Sequence, residues 1–249
     1  MQKYSIFSLI KNAFSNHQNW DLAWKDPTPK KEYDVVIIGG GGHGLATAYY
    51  LAKEHNITNV AIIEKGWIGG GNVGRNTTII RSNYMHDDNA LFSEFGMDLW
   101  RKMSQDLNYN VMFSPRGIIN LAHSDAQMNT FARRGNSMRL NGIDAILLNR
   151  EQVKEIIPMA DFSENVRFPI FGGLMQPSAG TARHDAVAWG YARQADSMGV
   201  DIIQNCEVTG FDTSSGQING VRTSRGDIKV KKIGLCVAGS TNILAEKLN

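Results

Sequence analysis

Residues 33–64 leave this chain little freedom in what it can fold into. Asp34, Val35, Val36, Ile37 and Ile38 form a short, largely β-branched apolar run, the pattern of a strand buried in a parallel sheet. Gly39, Gly41 and Gly44 follow in Gly-x-Gly-x-x-Gly spacing, and residues 45–55, rich in Ala, Leu and Tyr, continue as a helix. Residues 59–63 make a second buried strand that ends in Glu64, 20 positions beyond Gly44. Strand, glycines, helix, strand and acid in register specify a βαβ unit that binds a dinucleotide. Gly39 permits the tight turn, Gly41 lets backbone approach a pyrophosphate, and Gly44 lets helix and strand pack closely. The first helical turn offers unpaired N–H groups to the phosphates, and Glu64 can accept hydrogen bonds from ribose hydroxyls.

Composition narrows the remaining choices. A chain of 249 residues holds one large domain or two small ones. Its hydrophobic share of 42% and charged share of 20% are those of an ordinary globular chain, and a net charge of +2 points to no nucleic-acid and no membrane partner. No apolar run reaches the length of a membrane span. The apolar stretch at residues 4–10 lacks the small-residue cleavage pattern of a secretory signal, so a cytoplasmic location is expected. Cys206 and Cys236 are the only cysteines. Both are placed in strands and read as buried thiols of a reducing compartment. His86 and His123 have no metal-like spacing, so no metal site is assigned.

Before the βαβ unit, residues 5–14 carry apolar Ile6, Leu9, Ile10 and Phe14 on one helical face. Trp20 and Trp24 follow in an arm that docks on the chain's own body or on a partner. After Glu64, residues 65–81 form a glycine-rich loop that costs entropy to order alone and that a bound cofactor would organise. Helices are expected at 87–107, 125–141, 150–156 and 184–198. Strands are expected at 117–122, 170–175 and 201–204, then in an antiparallel series at 207–211, 218–223 and 227–230, with a buried strand at 232–238. Read from the residues alone, His184 is an ordinary hydrogen-bonding histidine at a helix N-terminus. Arg81 is either a structural ion-pair member or a partner for a ligand. Trp189 and Tyr191 read as core or interface positions.

The runs from Asp34 to Ala48, from Glu64 to Trp67, from Arg75 to Tyr84 and from Thr181 to Ala192 resemble the beta subunits of heterotetrameric sarcosine oxidases, within the FAD-dependent amine oxidoreductases. The arm at residues 4–30 extends the resemblance over essentially the whole chain. It implies an α/β fold in which a Rossmann-type FAD-binding domain carries a mixed-sheet substrate domain, as in glycine and D-amino-acid oxidases. The implied division is an N-terminal docking arm at 1–33 and an oxidoreductase domain at 34–249, with FAD-binding portions at about 34–83 and 170–249 and a substrate-domain portion at about 84–169. The family's subunit is longer, so a C-terminal part is expected beyond this chain, as a fragment or a truncated product would show.

The implied activity is oxidative demethylation of sarcosine to glycine, with a hydride passed to flavin, oxygen reduced to hydrogen peroxide, and the one-carbon unit captured by tetrahydrofolate. The implied partners are alpha, gamma and delta subunits, with NAD on alpha. Matching positions place non-covalent FAD on Gly39, Gly41, Gly42, His43, Gly44, Glu64 and Lys65. Asn72, Val73, Thr77, Thr78 and Ile80 are expected beside its isoalloxazine ring, Val208 near adenine, and the Ala238 turn near the pyrophosphate. His184 matches the histidine that the family links covalently to FMN. No catalytic residue is assigned. A cofactor-binding scaffold, or another FAD-dependent amine or 2-hydroxy-acid oxidoreductase of the same fold, are the alternatives.

Overall fold

The structure, a computed structural model, describes residues 5–18, 20, 22–163 and 165–248. The start of the N-terminal arm and Asn249 lie outside the described residues. Along the chain the elements are α1 (Ile6–Phe14), β1 (Glu32–Ile38), α2 (Gly42–His55), β2 (Val60–Ile63), β3 (Ile79–Ile80), α3 (Asp87–Asp106), β4 (Ile118–Ala122) and α4 (Asp125–Leu140). They continue as β5 (Ile146–Asn149), α5 (Arg150–Ile156), β6 (Gly172–Gln176), β7 (Gly180–Thr181), α6 (His184–Ser197), β8 (Asp201–Ile203), β9 (Val208–Ser214), β10 (Gln217–Thr223), β11 (Gly226–Leu235) and α7 (Thr241–Ala245). Short 3₁₀ turns lie at Asn72–Arg75, Ala238–Ser240 and Glu246–Leu248. The chain divides into two compact units. The first comprises the described residues of Met1–Thr77, Gln105–Val111 and His184–Asn249, and the second comprises Thr78–Ser104 and Met112–Arg183.

The first unit is built on a six-stranded sheet in the order β8-β2-β1-β11-β10-β9. β1 runs parallel to β2 and β11, and β2 runs parallel to β8. Burial on both faces explains the unbroken apolar runs in β1 and β2. Val36, Ile38, Ala61 and Ile63 join Ile203, Val208, Phe211, Val221 and Ile228 in one core cluster. α2 packs with α6 through Tyr49 and Tyr191, whose rings meet edge-on at 5.3 Å. Burial, reinforced by the neighbouring tyrosines, pushes the Tyr191 phenol far above its ordinary value. α2 stops at Asn56, which takes up a left-handed conformation with φ 54° and bonds back to Leu51.

The sequence reading separates 227–230 from 232–238, whereas the structure makes one continuous strand. β11 pairs antiparallel with β10 from Gly226 to Lys229, then parallel with β1 from Lys229 to Leu235. Exposed Lys231 and Lys232 do not interrupt it, because the ladder to β1 is made by backbone groups, whatever side chains they carry. The strand stops at Leu235, so Cys236 falls just beyond it, and Cys206 lies between β8 and β9. Cys206 is buried, as expected, but Cys236 is only half-buried, and both thiols are free. Burial raises the Cys236 thiol above its usual value.

Part of the N-terminal arm is held to its own unit. The Lys25 N–H donates to Asp196, Asp26 pairs with Arg225 at 2.8 Å, and Lys30 pairs with Asp201 at 2.7 Å. α1, capped by Ser5, buries none of its residues.

In the second unit β6 is the centre of a three-stranded antiparallel sheet, flanked by β4 and β5. α4 and α5 pack against β6. A satellite core of Ala90, Met138, Ile143 and Leu174 lies on this sheet, and another forms around Leu148, Val153 and Ile170. β3 and β7 pair as a two-stranded ribbon, Ile80 opposite Gly180. No helix among the described residues is long and apolar enough to cross a membrane, and no group of described side chains is arranged to hold a metal ion.

Candidate cofactor-binding site

The glycines of the β1–α2 turn divide into two kinds by what surrounds them. Gly39 has φ +109°, and a Cβ there would stand 2.4 Å from the Cys236 carbonyl oxygen, so the turn into α2 passes directly against the end of β11. A Cβ on Gly44 would stand 2.0 Å from the Gly39 carbonyl oxygen. These two positions are glycine because the protein's own backbone fills the space. At Gly41 and Gly42 a Cβ would meet only Val73 Cγ2, at 3.8 and 3.5 Å. The chain's internal packing does not demand glycine at either position, and the space there leaves room for a ligand to approach the backbone closely.

α2 starts at Gly42, three residues earlier than its apolar composition suggests, because the glycines themselves form the first turn. Gly41 occupies the N-cap with no side-chain cap. The first N–H groups and the positive end of the helix dipole are thus presented without a competing side-chain oxygen. His43, second in the helix, is exposed.

Glu64 is fixed at the tip of β2. Its Oε2 accepts from the Gly40 N–H at 2.7 Å and its Oε1 from the Gly66 N–H at 2.9 Å. An ionised carboxylate has acceptor sites beyond these two, so Glu64 is oriented and can still receive ribose hydroxyls. Lys65 beside it is exposed. The segment leading to β9 runs along the same tip, with the Cys206 N–H on the Glu64 carbonyl and the Asn205 N–H on the Gly66 carbonyl. Val208 therefore follows within two residues of Glu64's neighbour. Its side chain is core, and its carbonyl accepts from Lys247 Nζ at 3.3 Å.

The loop after Glu64 has a framework of its own. The Gly69 N–H bonds to the Gly40 carbonyl, the Ile68 N–H to Gln204 Oε1, and Asn76 Nδ2 to the Val73 carbonyl at 2.6 Å. Its order thus rests partly on protein hydrogen bonds rather than wholly on a cofactor. Val73 lies over Gly41 and Gly42, while Asn72 and Thr77 are exposed. In the second unit, Thr78 has φ 60°, an unusual conformation for a β-branched residue, and its carbonyl accepts from the Ala182 N–H at 3.1 Å. Ile80 lies in β3.

His184 is the first residue of α6, a helix that packs on the Asn72–Arg75 turn and brings Ala188 toward Gly69. Its Nδ1 is buried with no hydrogen-bond partner among the described residues. A buried imidazole nitrogen left in this state calls for a group to bond it.

Arg81, directly after β3, forms no ion pair with a carboxylate of the described residues. Its Nη1 donates to Asn83 Oδ1, and its guanidinium lies 4.8 Å from the centre of the Tyr84 ring. A second guanidinium, Arg134 on α4, reaches the same asparagine. Sequence reasoning assigned nothing to Asn83 or Arg134, because the link spans 51 positions and no local motif marks it.

The uncapped helix, the two glycines with free space and the anchored acid fit the pyrophosphate and ribose of FAD. The family model for FAD dependent oxidoreductases matches residues 34–249. The chain belongs to that family. It is 59% identical over 244 residues to the sarcosine oxidase subunit beta of Rhizobium meliloti (strain 1021), covering 98% of this chain and 58% of that protein. It therefore spans less than two thirds of that relative's length. Among solved structures, the L-proline dehydrogenase of P. horikoshii matches with a TM-score of 0.81 and 28% identity, covering 88% of this chain and 56% of the other. The glycine oxidase of Bacillus cereus ATCC 14579 shares the fold with a TM-score of 0.75 at 22% identity, covering 86% of this chain and 57% of the other. The fold is the mixed-sheet α/β class expected from the sequence.

Proposed function

We propose that this chain is the FAD-binding part of a sarcosine oxidase beta subunit. The observation that carries the cofactor assignment is the contrast within the glycine turn. Gly39 and Gly44 are required by packing, while Gly41 and Gly42 lie open beside an uncapped helix start. The extent of similarity to the Rhizobium meliloti subunit carries the choice of substrate.

In this reading bound FAD supplies the hydride acceptor for oxidation of sarcosine at its N-methyl carbon, and oxygen takes up the electrons as hydrogen peroxide. The amides of Gly41, Gly42, His43 and Gly44 hold the pyrophosphate, and Glu64 holds the ribose. Lys65 and the backbone at Val208 border the adenosine, while Asn72, Val73, Thr77, Thr78 and Ile80 border the flavin ring. Arg81 receives the substrate carboxylate. A guanidinium with no carboxylate partner among the described residues suits a bidentate anion, and Arg81 directly follows the segment assigned to the flavin ring. The Nδ1 of His184, buried and without a hydrogen-bond partner among the described residues, makes His184 fit for covalent FMN, since an imidazole nitrogen can act as the nucleophile. Tetrahydrofolate as one-carbon acceptor, alpha, gamma and delta subunits as partners and NAD on alpha complete the proposal.

The test is flavin retention and sarcosine oxidation by the full-length subunit assembled with its partners. Gly41→Val should abolish FAD retention, and unchanged FAD content in that variant would refute the assignment.

A further inference from the structure

The two residues after Arg81 carry an unusual density of polar contacts for a segment outside any strand. Ser82 and Asn83 are both fully buried. The Ser82 N–H donates to Gln176 Oε1 at 3.1 Å, and Gln176 Nε2 returns a bond to Ser82 Oγ at 2.7 Å. Ser82 Oγ donates to Glu94 Oε2 at 2.5 Å, while the other oxygen of Glu94 faces Arg101 at 3.4 Å. Asn83 Nδ2 donates to Asn120 Oδ1 at 2.8 Å. Side chains from α3, α4, β4 and β6 thus converge on this dipeptide.

Asn83 is where two cations meet. Its Oδ1 accepts from Arg81 Nη1 and from Arg134 Nη2, the latter at 3.0 Å. Its backbone carbonyl accepts from both Arg134 Nε, at 2.6 Å, and Arg134 Nη2. Arginine can only donate, so the two guanidinium contacts fix the end of the carboxamide facing them as oxygen. No carboxylate among the described residues pairs with either arginine. Two guanidiniums sharing one buried acceptor repel each other, and a carboxylate at position 83 would be the ordinary way to relieve this. Burial and then the charge of Arg81 pull Arg134 below its usual value, as expected for a cation held without a counter-ion.

We propose that Asn83 is a positioning residue for substrate recognition: its neutral carboxamide, anchored by Arg134, aims the Arg81 guanidinium without neutralising it, leaving the charge for the carboxylate of the amino-acid substrate. This rests on the reading of Arg81 as the carboxylate receptor of a sarcosine-oxidising site. The choice of asparagine follows from the chemistry. Aspartate has the same shape but would itself pair with Arg81 and compete with the ligand.

The experiment uses the full-length subunit assembled with its partners. It compares sarcosine with sarcosinamide, which replaces the carboxylate by a neutral amide of similar size. Asn83→Asp should raise KM for sarcosine at least about tenfold with kcat within about threefold, and leave kcat/KM for sarcosinamide and FAD content unchanged. Arg134→Lys keeps the charge but loses the forked donor, and should raise the sarcosine KM severalfold with sarcosinamide again unaffected. Equal losses on both substrates would show a merely structural role and overturn the proposal, as would an unchanged sarcosine KM in both variants. Failure of the unsubstituted enzyme to oxidise sarcosine overturns the underlying functional reading instead, so the two failures are separable.

Discussion

Alanine at Gly41 and at Gly44 should produce opposite defects, although the two residues are three apart in one turn. At Gly44 the new Cβ would lie 2.0 Å from the Gly39 carbonyl oxygen, where real Cβ contacts are essentially never under 3.0 Å. The obstacle is backbone and cannot rotate aside, so α2 or the Gly39 peptide must shift by at least the 1.0 Å between those two distances. Overpacking of this kind costs about 1–3 kcal/mol. The better helix propensity of alanine returns at most about 1 kcal/mol. A net loss of about 1–2 kcal/mol lowers Tm by roughly 2–8 °C in a domain of this size. Gly41 has φ −84° and ψ −176°, an extended conformation open to alanine, and the nearest atom to its Cβ would be Val73 Cγ2 at 3.8 Å. Stability should change by no more than about 1 kcal/mol there. The added methyl instead occupies the approach to the helix amides, and a loss of about 1.4 kcal/mol in binding weakens FAD tenfold. Thermal unfolding of the flavin-free proteins and titration with FAD separate the two effects. A Gly41→Ala protein with normal FAD affinity, or a Gly44→Ala protein of normal stability, refutes the division of roles.

Two further predictions concern the anchored acid and the histidine. Glu64→Gln leaves one oxygen for two backbone donors, Gly40 and Gly66, and turns an NH₂ group toward the other. An unpaired donor costs about 1–3 kcal/mol, so both Tm and FAD affinity should fall, and a variant unchanged in both measurements contradicts the geometry. His184→Ala should remove any flavin that survives denaturation on the α6 peptide while FAD content stays near normal. Mass spectrometry of the tryptic peptides decides this, and an unmodified His184 peptide from a fully flavinylated, active enzyme rules the attachment out.

The βαβ unit was legible in the sequence because its determinants are local: buried strands read as apolar runs, and the acid stands at fixed spacing from the glycines. His184 was correctly placed at a helix start because the apolar period runs from there to the glycine that closes the helix, Gly199. What escaped was non-local. β11 reads as two strands in sequence because its partner changes midway, which no residue in it records. β3 and β7 are two residues each, too short for any period. The loop after Glu64 reads as dependent on a cofactor because its hydrogen bonds go to Gly40 and Gln204, far apart in the chain. The meeting of Arg81 and Arg134 at Asn83 is set by the packing of α4, and nothing in either segment announces it.

The most direct test of the account mixes sarcosine, without oxygen, with the full-length flavoprotein assembled with its partner subunits, and follows the flavin absorbance. The account predicts that the absorbance of FAD held by the Gly39–Glu64 unit bleaches and recovers when oxygen is admitted. FAD that stays tightly bound and oxidised in saturating sarcosine, or that is bleached by a 2-hydroxy acid instead, contradicts it.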